Sequence, residues 1–495
     1  MIDESTLQEF YRYMPAAHLD RFRDFLRTHS FILRAMVRKK LRAYFRQALA
    51  PRHKLYRAFA FGCGLFLVTA CGADDAPIEG PLFFPTTPHE SYEFAIREAG
   101  PEQTALGYEW ITAGRYALTR ALPVQPPYEE VGYLDPLEAG AMGYRITAER
   151  GQLLRIEVDV ESDEPSRVFL DLFRVVGDTL RPHRREAYAD STEQSLEFFV
   201  RRDGDYVLRV QPELLRGGRY RIKIVTAASL AFPVEGRSVT AIRSAYGDPR
   251  DGGRREHQGI DIFAPRGTPV LAATDGRVRS VRNSGLGGRT VWLRDLYGQS
   301  QYYAHLDSQV VRRGDSVKAG DTLGFVGNTG NARTTPPHLH FGVYSRGAYD
   351  PFPALNPLQS DPPRLLADTN NVGRWVRNTV ADLRVRTSPA RRGTVVSELA
   401  RNTPMLVVGG TSSWYRVLLP EGEMGFVDAR SVEPVSQPLR SAVLAEGGVL
   451  LESPRAKAAV RARFVPGSEV SVLGEFGSFL FVRGVNGPAG WLLLD

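Results

Sequence analysis

The stretch His338-Leu-His340-Phe-Gly-Val-Tyr344 decides how this chain is read. Its alternation predicts a β-strand, on which residues i and i+2 share a face. Both histidines then project into one site while Leu339 packs behind. On a helix the same spacing would turn them about 160° apart. Two more motifs lie upstream, His257-Gln-Gly-Ile-Asp261 and Tyr303-Ala-His305-Leu306. Four of the nine histidines fall in these three motifs. A catalytic zinc site takes three protein ligands from histidine and carboxylate and keeps one position open for water. HxxxD offers two such ligands and one histidine of HxH a third. Two histidines are left to handle protons and charge. A structural zinc site would fill every position with protein, so the pattern points to a hydrolase.

The flanking sequence reads as short strands. Gly267-Thr-Pro-Val-Leu-Ala-Ala273 and Gly276-Arg-Val-Arg-Ser-Val281 surround the turn Thr274-Asp275-Gly276. Arg289-Thr-Val-Trp-Leu-Arg294 and Gln301-Tyr-Tyr-Ala-His305 are split by Tyr297-Gly298. In this region, residues 236–360, the chain resembles the M23 (lysostaphin/LytM-type) zinc endopeptidases of bacterial cell walls. The resemblance runs through His257-x-Gly-Ile-Asp-Ile262, Ala264-Pro-Arg-Gly-Thr-Pro-Val270, Val317-Lys-Ala-Gly-Asp321, Gly327-Asn-Thr-Gly330 and Pro337-His-Leu-His-Phe341, in that order. It implies an antiparallel β-sheet peptidase domain with one Zn²⁺ per chain, bound by His257, Asp261 and His340. It implies catalytic roles for His305 and His338. Zinc lowers the pKa of bound water toward ~7 and polarises the scissile carbonyl. One free histidine can pass the water proton to the leaving amine, and the other can stabilise the oxyanion. One position departs from the pattern. Several family members carry a tyrosine six residues before the first ligand histidine, where this chain has Asp251. Arg250 and Arg254 are the nearby candidates to act in its place. Degenerate relatives typically lack ligands or catalytic histidines, and none is missing here.

Charge is unevenly spread. The formal net charge is +7, yet residues 1–70 hold thirteen basic and five acidic residues. The remaining 50 basic and 51 acidic residues nearly cancel, so the high pI gives no support to a nucleic-acid partner. Residues 1–70 read as an N-terminal extension and lipoprotein signal peptide. Arg52-His-Lys-Leu-Tyr-Arg57 is a basic region, and Ala58 to Ala70 is apolar but too short for a bilayer span of ~20 residues. Val68-Thr-Ala-Cys71 resembles a lipobox, which implies membrane attachment through a lipid on Cys71. Cys63 would leave with the signal, so no internal disulfide is expected. Met36 is a second candidate start. Gly72, where aspartate would retain a lipoprotein at the inner membrane, implies an outer-membrane anchor facing the periplasm.

The rest of the chain divides by period and turn signals into a mainly β, multidomain protein. Residues 71–135 read as a tether and a helical segment. Over 136–230 the apolar period is two, as in Leu154/Ile156/Val158 and Tyr220/Ile222/Ile224, which predicts a β-sandwich. After the peptidase comes an internal repeat. Leu383-Arg-Val-Arg-Thr-Ser-Pro389 parallels Val449-Leu-Leu-Glu-Ser-Pro454, and Gly425-Phe-Val427 parallels Gly490-Trp-Leu492. The units 372–434 and 439–495 resemble bacterial SH3 domains, small β-barrels that commonly bind peptidoglycan in wall hydrolases. Trp375, Trp414 and Tyr415 are either groove aromatics or core. The expected function is a lipid-anchored zinc endopeptidase acting on peptidoglycan. The alternative is a non-enzymatic envelope protein that binds peptidoglycan and recruits or activates another wall hydrolase.

Overall fold

The computed structural model describes residues 86–99, 105–136, 138–161, 166–177, 183–190, 194–283, 285–356, 361–485 and 487–494. The expected signal segment, Cys71 and most of the tether lie outside the described residues. Two helices come first, α1 (Pro88–Ala99) and α2 (Ala105–Thr119). Ile96, Trp110 and Ile111 pack on Phe169, and the Trp110 indole donates to the Pro212 carbonyl at 2.8 Å.

From residue 122 the described chain is almost wholly β. β1 (Tyr128–Leu134), β2 (Gln152–Glu161) and β3 (Gly218–Ala228) pair antiparallel in the order β1–β3–β2. A five-stranded sheet faces them, and the period-two residues Leu154, Ile156, Leu208, Val210, Ile222 and Ile224 fill the space between. Residues 122–124 and 128–134 precede the expected start of the sandwich at 136, yet they form strands of both sheets. Pro123-Val-Gln-Pro-Pro127 masks them in the sequence. Leu122–Val124 is an edge strand, where a missing N–H is tolerated.

The next sheet carries the histidines. Five of its strands are β4 (Ile242–Ser244), at one edge, β5 (Ile260–Phe263), β6 (Arg289–Asp295), β7 (Ser300–Leu306) and β8 (His338–Tyr344). Their spatial order is β4–β5–β8–β7–β6. One face is core, built from Ile260, Ile262, Val291, Leu293, Leu339 and Phe341. The other face is open, as antiparallel sheets allow.

β9 (Pro404–Thr411) belongs to the first C-terminal module, and it also pairs with β1 through Val131↔Gly410 and Gly132↔Gly409. The sandwich and this module therefore share one eleven-stranded sheet. The second module is a six-stranded antiparallel sheet around Val470, Val472, Val482 and Leu492. Trp375 packs on Phe481 of that module at 4.6 Å between ring centroids, and Tyr415 is 1% exposed. Tyr415 is core, while Trp375 and Trp414 stay half-buried.

Candidate metal centre

Strand register assembles the site. Ser244 pairs with Asp261, Asp261 with His340, and His340 with Ala304, so one row crosses four neighbouring strands. His338 lies opposite Phe263 one step along and stacks on it at 5.0 Å. Leu339 is buried in the core behind them, as alternation requires. His257 sits in the turn before β5, where its N–H donates to the Asp248 carbonyl at 2.9 Å. Gly259 lets this turn lie against β8. A Cβ there would stand 2.5 Å from the Phe341 carbonyl oxygen and 2.9 Å from His340 Nε2.

His305 reaches the same face by a different device. Alternation along β7 would put it with Tyr303 on the core side. Instead Ala304 and His305 together face Thr290, a β-bulge in which His305 takes φ +63°. Tyr303 and Leu306 stay in the core. The His305 ring stands 5.1 Å from His338 and 5.9 Å from His340.

Among the described residues, His257, Asp261 and His340 bring three ligand atoms together. His257 Nε2 is 2.9 Å from His340 Nδ1 and 3.1 Å from Asp261 Oδ1, and His340 Nδ1 is 3.0 Å from that oxygen. The neighbours fix the tautomers. Nδ1 of His257 faces the Ala245 carbonyl at 2.8 Å, Nδ1 of His305 the Thr329 carbonyl at 2.9 Å, and Nδ1 of His338 the Pro336 carbonyl at 2.9 Å. A carbonyl can only accept, so each of these nitrogens carries the proton and each Nε2 keeps a bare lone pair. His340 alone turns Nδ1 inward. Its single proton can serve only part of a triangle whose other corners, His257 Nε2 and Asp261 Oδ1, are both acceptors. A cation satisfies all three. Two imidazoles and one carboxylate are a donor set suited to zinc, with carbonyl partners orienting the rings.

The electrostatics agree. Burial works to raise the Asp261 carboxyl, but its close contacts with His257 and His340 outweigh that and hold it well below the usual carboxylate range. Burial, opposed by Asp261, lowers His340. Burial and then the neighbouring His338 and His340 push His305 down to about 4. At neutral pH Asp261 is therefore a carboxylate and His305 a neutral ring.

Arg250 Nη2 donates to Asp261 Oδ2 at 2.8 Å and to Ser244 Oγ at 2.6 Å. Arg254 does not line the cleft. Asp251, at the family's tyrosine position, is exposed and accepts from Arg255 at 2.6 Å. The cleft over the centre has a volume of about 680 Å³ and includes His305, His338, Tyr302 and Tyr344 in its walls. The carbonyls of Ala245, Thr329 and Pro336 carry no signal in a sequence, although Thr329 belongs to the Gly327-Asn-Thr-Gly330 motif.

Residues 255–351 match the family model Peptidase family M23. The chain is similar to the L-Ala--D-Glu endopeptidase of Bacillus subtilis, 37% identical over 138 residues, which are 25% of this chain and 42% of that protein. It is 38% identical over 101 residues to the peptidoglycan DD-endopeptidase ShyC of Vibrio cholerae, covering 20% of this chain and 23% of that protein. It is 37% identical over 133 residues to the uncharacterized lipoprotein YgeR of Escherichia coli, covering 26% and 49%. The chain thus spans less than half the length of each of these relatives. Sequence match and site geometry converge on the same stretch, and the chain carries a peptidase M23 domain.

Proposed function

We propose that this chain is a zinc-dependent endopeptidase that hydrolyses peptide stems or cross-links of bacterial peptidoglycan. The observation that carries this reading is the surplus of lone pairs at His257, Asp261 and His340, set in a cleft with two further bare imidazole nitrogens. Zinc held by those three side chains supplies Lewis acidity, which lowers the pKa of water toward ~7 and polarises a carbonyl.

The chain's own residues do the rest. Thr329 and Pro336 hold His305 and His338 with Nε2 turned to the cleft, where each ring is placed to exchange a proton. One takes the proton of the attacking water and returns it to the leaving amine. The other would stabilise the developing oxyanion when its Nε2 carries a proton taken from solvent. Arg250 fixes one oxygen of Asp261 and leaves the other facing the histidines.

The substrate class rests on the relatives' names, two of which are endopeptidases and one of these a peptidoglycan enzyme. An envelope location rests on the Val68-Thr-Ala-Cys71 order and on the lipoprotein relative. The lipid on Cys71 anchors the chain in the outer membrane, facing the periplasm. The SH3-like modules hold peptidoglycan. Cys71→Ser should then leave a heavier, unlipidated precursor, and identical mobility and fractionation to wild type would contradict the anchor.

Digestion of purified sacculi tests the function. The zinc-loaded protein should release fragments with new peptide termini by mass spectrometry, and a chelator should stop it. Full zinc content with binding to sacculi but no new termini would favour the recruiting protein instead.

A further inference from the structure

Three aromatic side chains stand on the open face of the peptidase sheet, where alternation usually places polar residues. Trp292 on β6 lies directly across from Tyr302 on β7, and Tyr344 closes β8. Ring centroids are 4.5 Å apart for Trp292–Tyr302 and 5.1 Å for Trp292–Tyr344. All three rings are only half-buried. The core on the other face is already supplied by Val291, Leu293, Tyr303 and Val343. Contiguous aromatic surface left in reach of solvent marks a contact site more often than a packing need.

The patch is continuous with the metal centre. Tyr302 and Tyr344 line the same cleft as His257, Asp261 and His340. The Tyr302 ring meets His340 edge-to-face at 5.8 Å. On one side the loop at Gly287 closes on Tyr302, since a Cβ there would come within 1.9 Å of the Tyr302 hydroxyl. On the other side the Tyr344 hydroxyl donates to the Gln258 carbonyl at 3.3 Å. The cleft therefore runs along β8 from His338 to Tyr344, about 20 Å at ~3.4 Å per residue, and Trp292 adjoins it through Tyr302 and Tyr344. A substrate running along β8 from the centre would meet these rings.

The patch suits a sugar better than a stem peptide. Wall stem peptides offer small aliphatic and charged side chains, which give three rings little to stack on. A pyranose offers a flat face of C–H groups, and an N-acetyl group adds a planar amide. The rings also bring polar tips for the sugar's edge. Among the described residues neither Trp292 Nε1 nor the Tyr302 hydroxyl has a hydrogen-bond partner, so both donors are available to hydroxyl or acetamido oxygens.

We infer that Trp292, Tyr302 and Tyr344 form a saccharide subsite that holds an N-acetylated sugar of the glycan strand beside the scissile peptide. The inference rests on the peptidoglycan endopeptidase reading, and the test keeps the two apart. Full-length protein is titrated calorimetrically with glycan strands stripped of peptide. It is also assayed on a disaccharide-linked stem peptide and on the free stem peptide. Wild type should bind the stripped glycan and prefer the sugar-bearing substrate. Trp292→Ala should weaken glycan binding and erase the preference, each by about tenfold. Trp292→Tyr, which keeps a stacking face, should retain most of both. Glycan binding and preference unchanged in Trp292→Ala and Tyr302→Ala would overturn the subsite, and so would an equal loss on both substrates. Glycan binding that depends on Trp292, with neither substrate cleaved, would sink the peptidase reading and leave the subsite standing.

Discussion

Two polar clusters in this chain differ in balance, one sealed in the interior and one at the base of a cleft. Where the sandwich meets the first C-terminal module, Glu130 is 0% exposed and Arg416 3%. Arg416 Nη2 donates to Glu130 Oε1 at 2.5 Å, Tyr128 to Oε2 at 2.5 Å, and Tyr220 and Tyr144 to Oε1 at 3.2 and 3.3 Å. Both carboxylate oxygens there meet donors, and among the described residues Arg416 Nε is the one buried nitrogen of the cluster left without a partner. At His257, Asp261 and His340 the count runs the other way, with acceptors confronting acceptors at 2.9–3.1 Å. A buried cluster that closes on itself holds a fold together. One left with surplus lone pairs awaits a cation.

The largest expected effects fall on the open cluster. His305→Ala and His338→Ala should each keep zinc near wild-type content while turnover falls ~10²–10⁴-fold, measured on a soluble stem peptide. Loss of zinc in His338→Ala would blur the line between ligand and catalyst. Full activity in both variants would remove the two-histidine mechanism.

The closed cluster should fail in stability instead. Glu130→Ala strands the Arg416 charge and should cost about 3–5 kcal/mol in denaturant unfolding. Replacing both partners, Glu130→Leu with Arg416→Met, should cost clearly less than either single change. A double variant as unstable as the sum of the singles would show that the ion pair is not the clamp. Removing 372–495 would take away Arg416 and seven of the eleven strands of the shared sheet, so it should destabilise the sandwich as well. Arg250 stands between the clusters in kind, since it is a donor supplied to the open one. Arg250→Ala should weaken zinc affinity by about 10–100-fold in a chelator competition, and Arg250→Lys should recover part of it.

His89 gives the smallest effect. It is buried on Trp110, with Nε2 2.8 Å from Gln211 Oε1. Burial, then the charge of Arg209, pushes its pKa from 6.5 to about 3. Above 6.5 the ring is neutral in the folded and unfolded chains, and its contribution is complete. As pH falls from 6.5 toward 3 the unfolded chain takes up a proton that the folded chain refuses, so stability is lost across that window. Unfolding midpoints measured from pH 7 to 4 should fall less steeply in His89→Phe than in wild type. Equal slopes would remove His89 from the balance.

The sequence made the open cluster legible because its chemistry is written in short spacings. HxxxD and HxH fix residues that share a strand or adjoin one, and period-two alternation orients them. It hid what depends on backbone irregularity or long range. Strict alternation would have sent His305 into the core with Tyr303, and only the bulge opposite Thr290 turns it outward. The carbonyls that fix three tautomers belong to Ala245, Thr329 and Pro336, whose side chains do not announce that role. Glu130 and Arg416 are 286 residues apart, and no spacing rule links them. For the same reason the modules read as separate beads, whereas β1 pairs with both β3 and β9.

Zinc titration of the chelator-stripped protein, followed by calorimetry and elemental analysis, tests the central claim most directly. Wild type should take up one zinc per chain, and so should Arg416→Met under conditions where it remains folded. His340→Ala should lose the metal while keeping its unfolding free energy in the metal-free state within about 1 kcal/mol of wild type. Full zinc occupancy in His340→Ala, or no zinc in the wild type, would contradict the assignment of His257, Asp261 and His340 as the metal site.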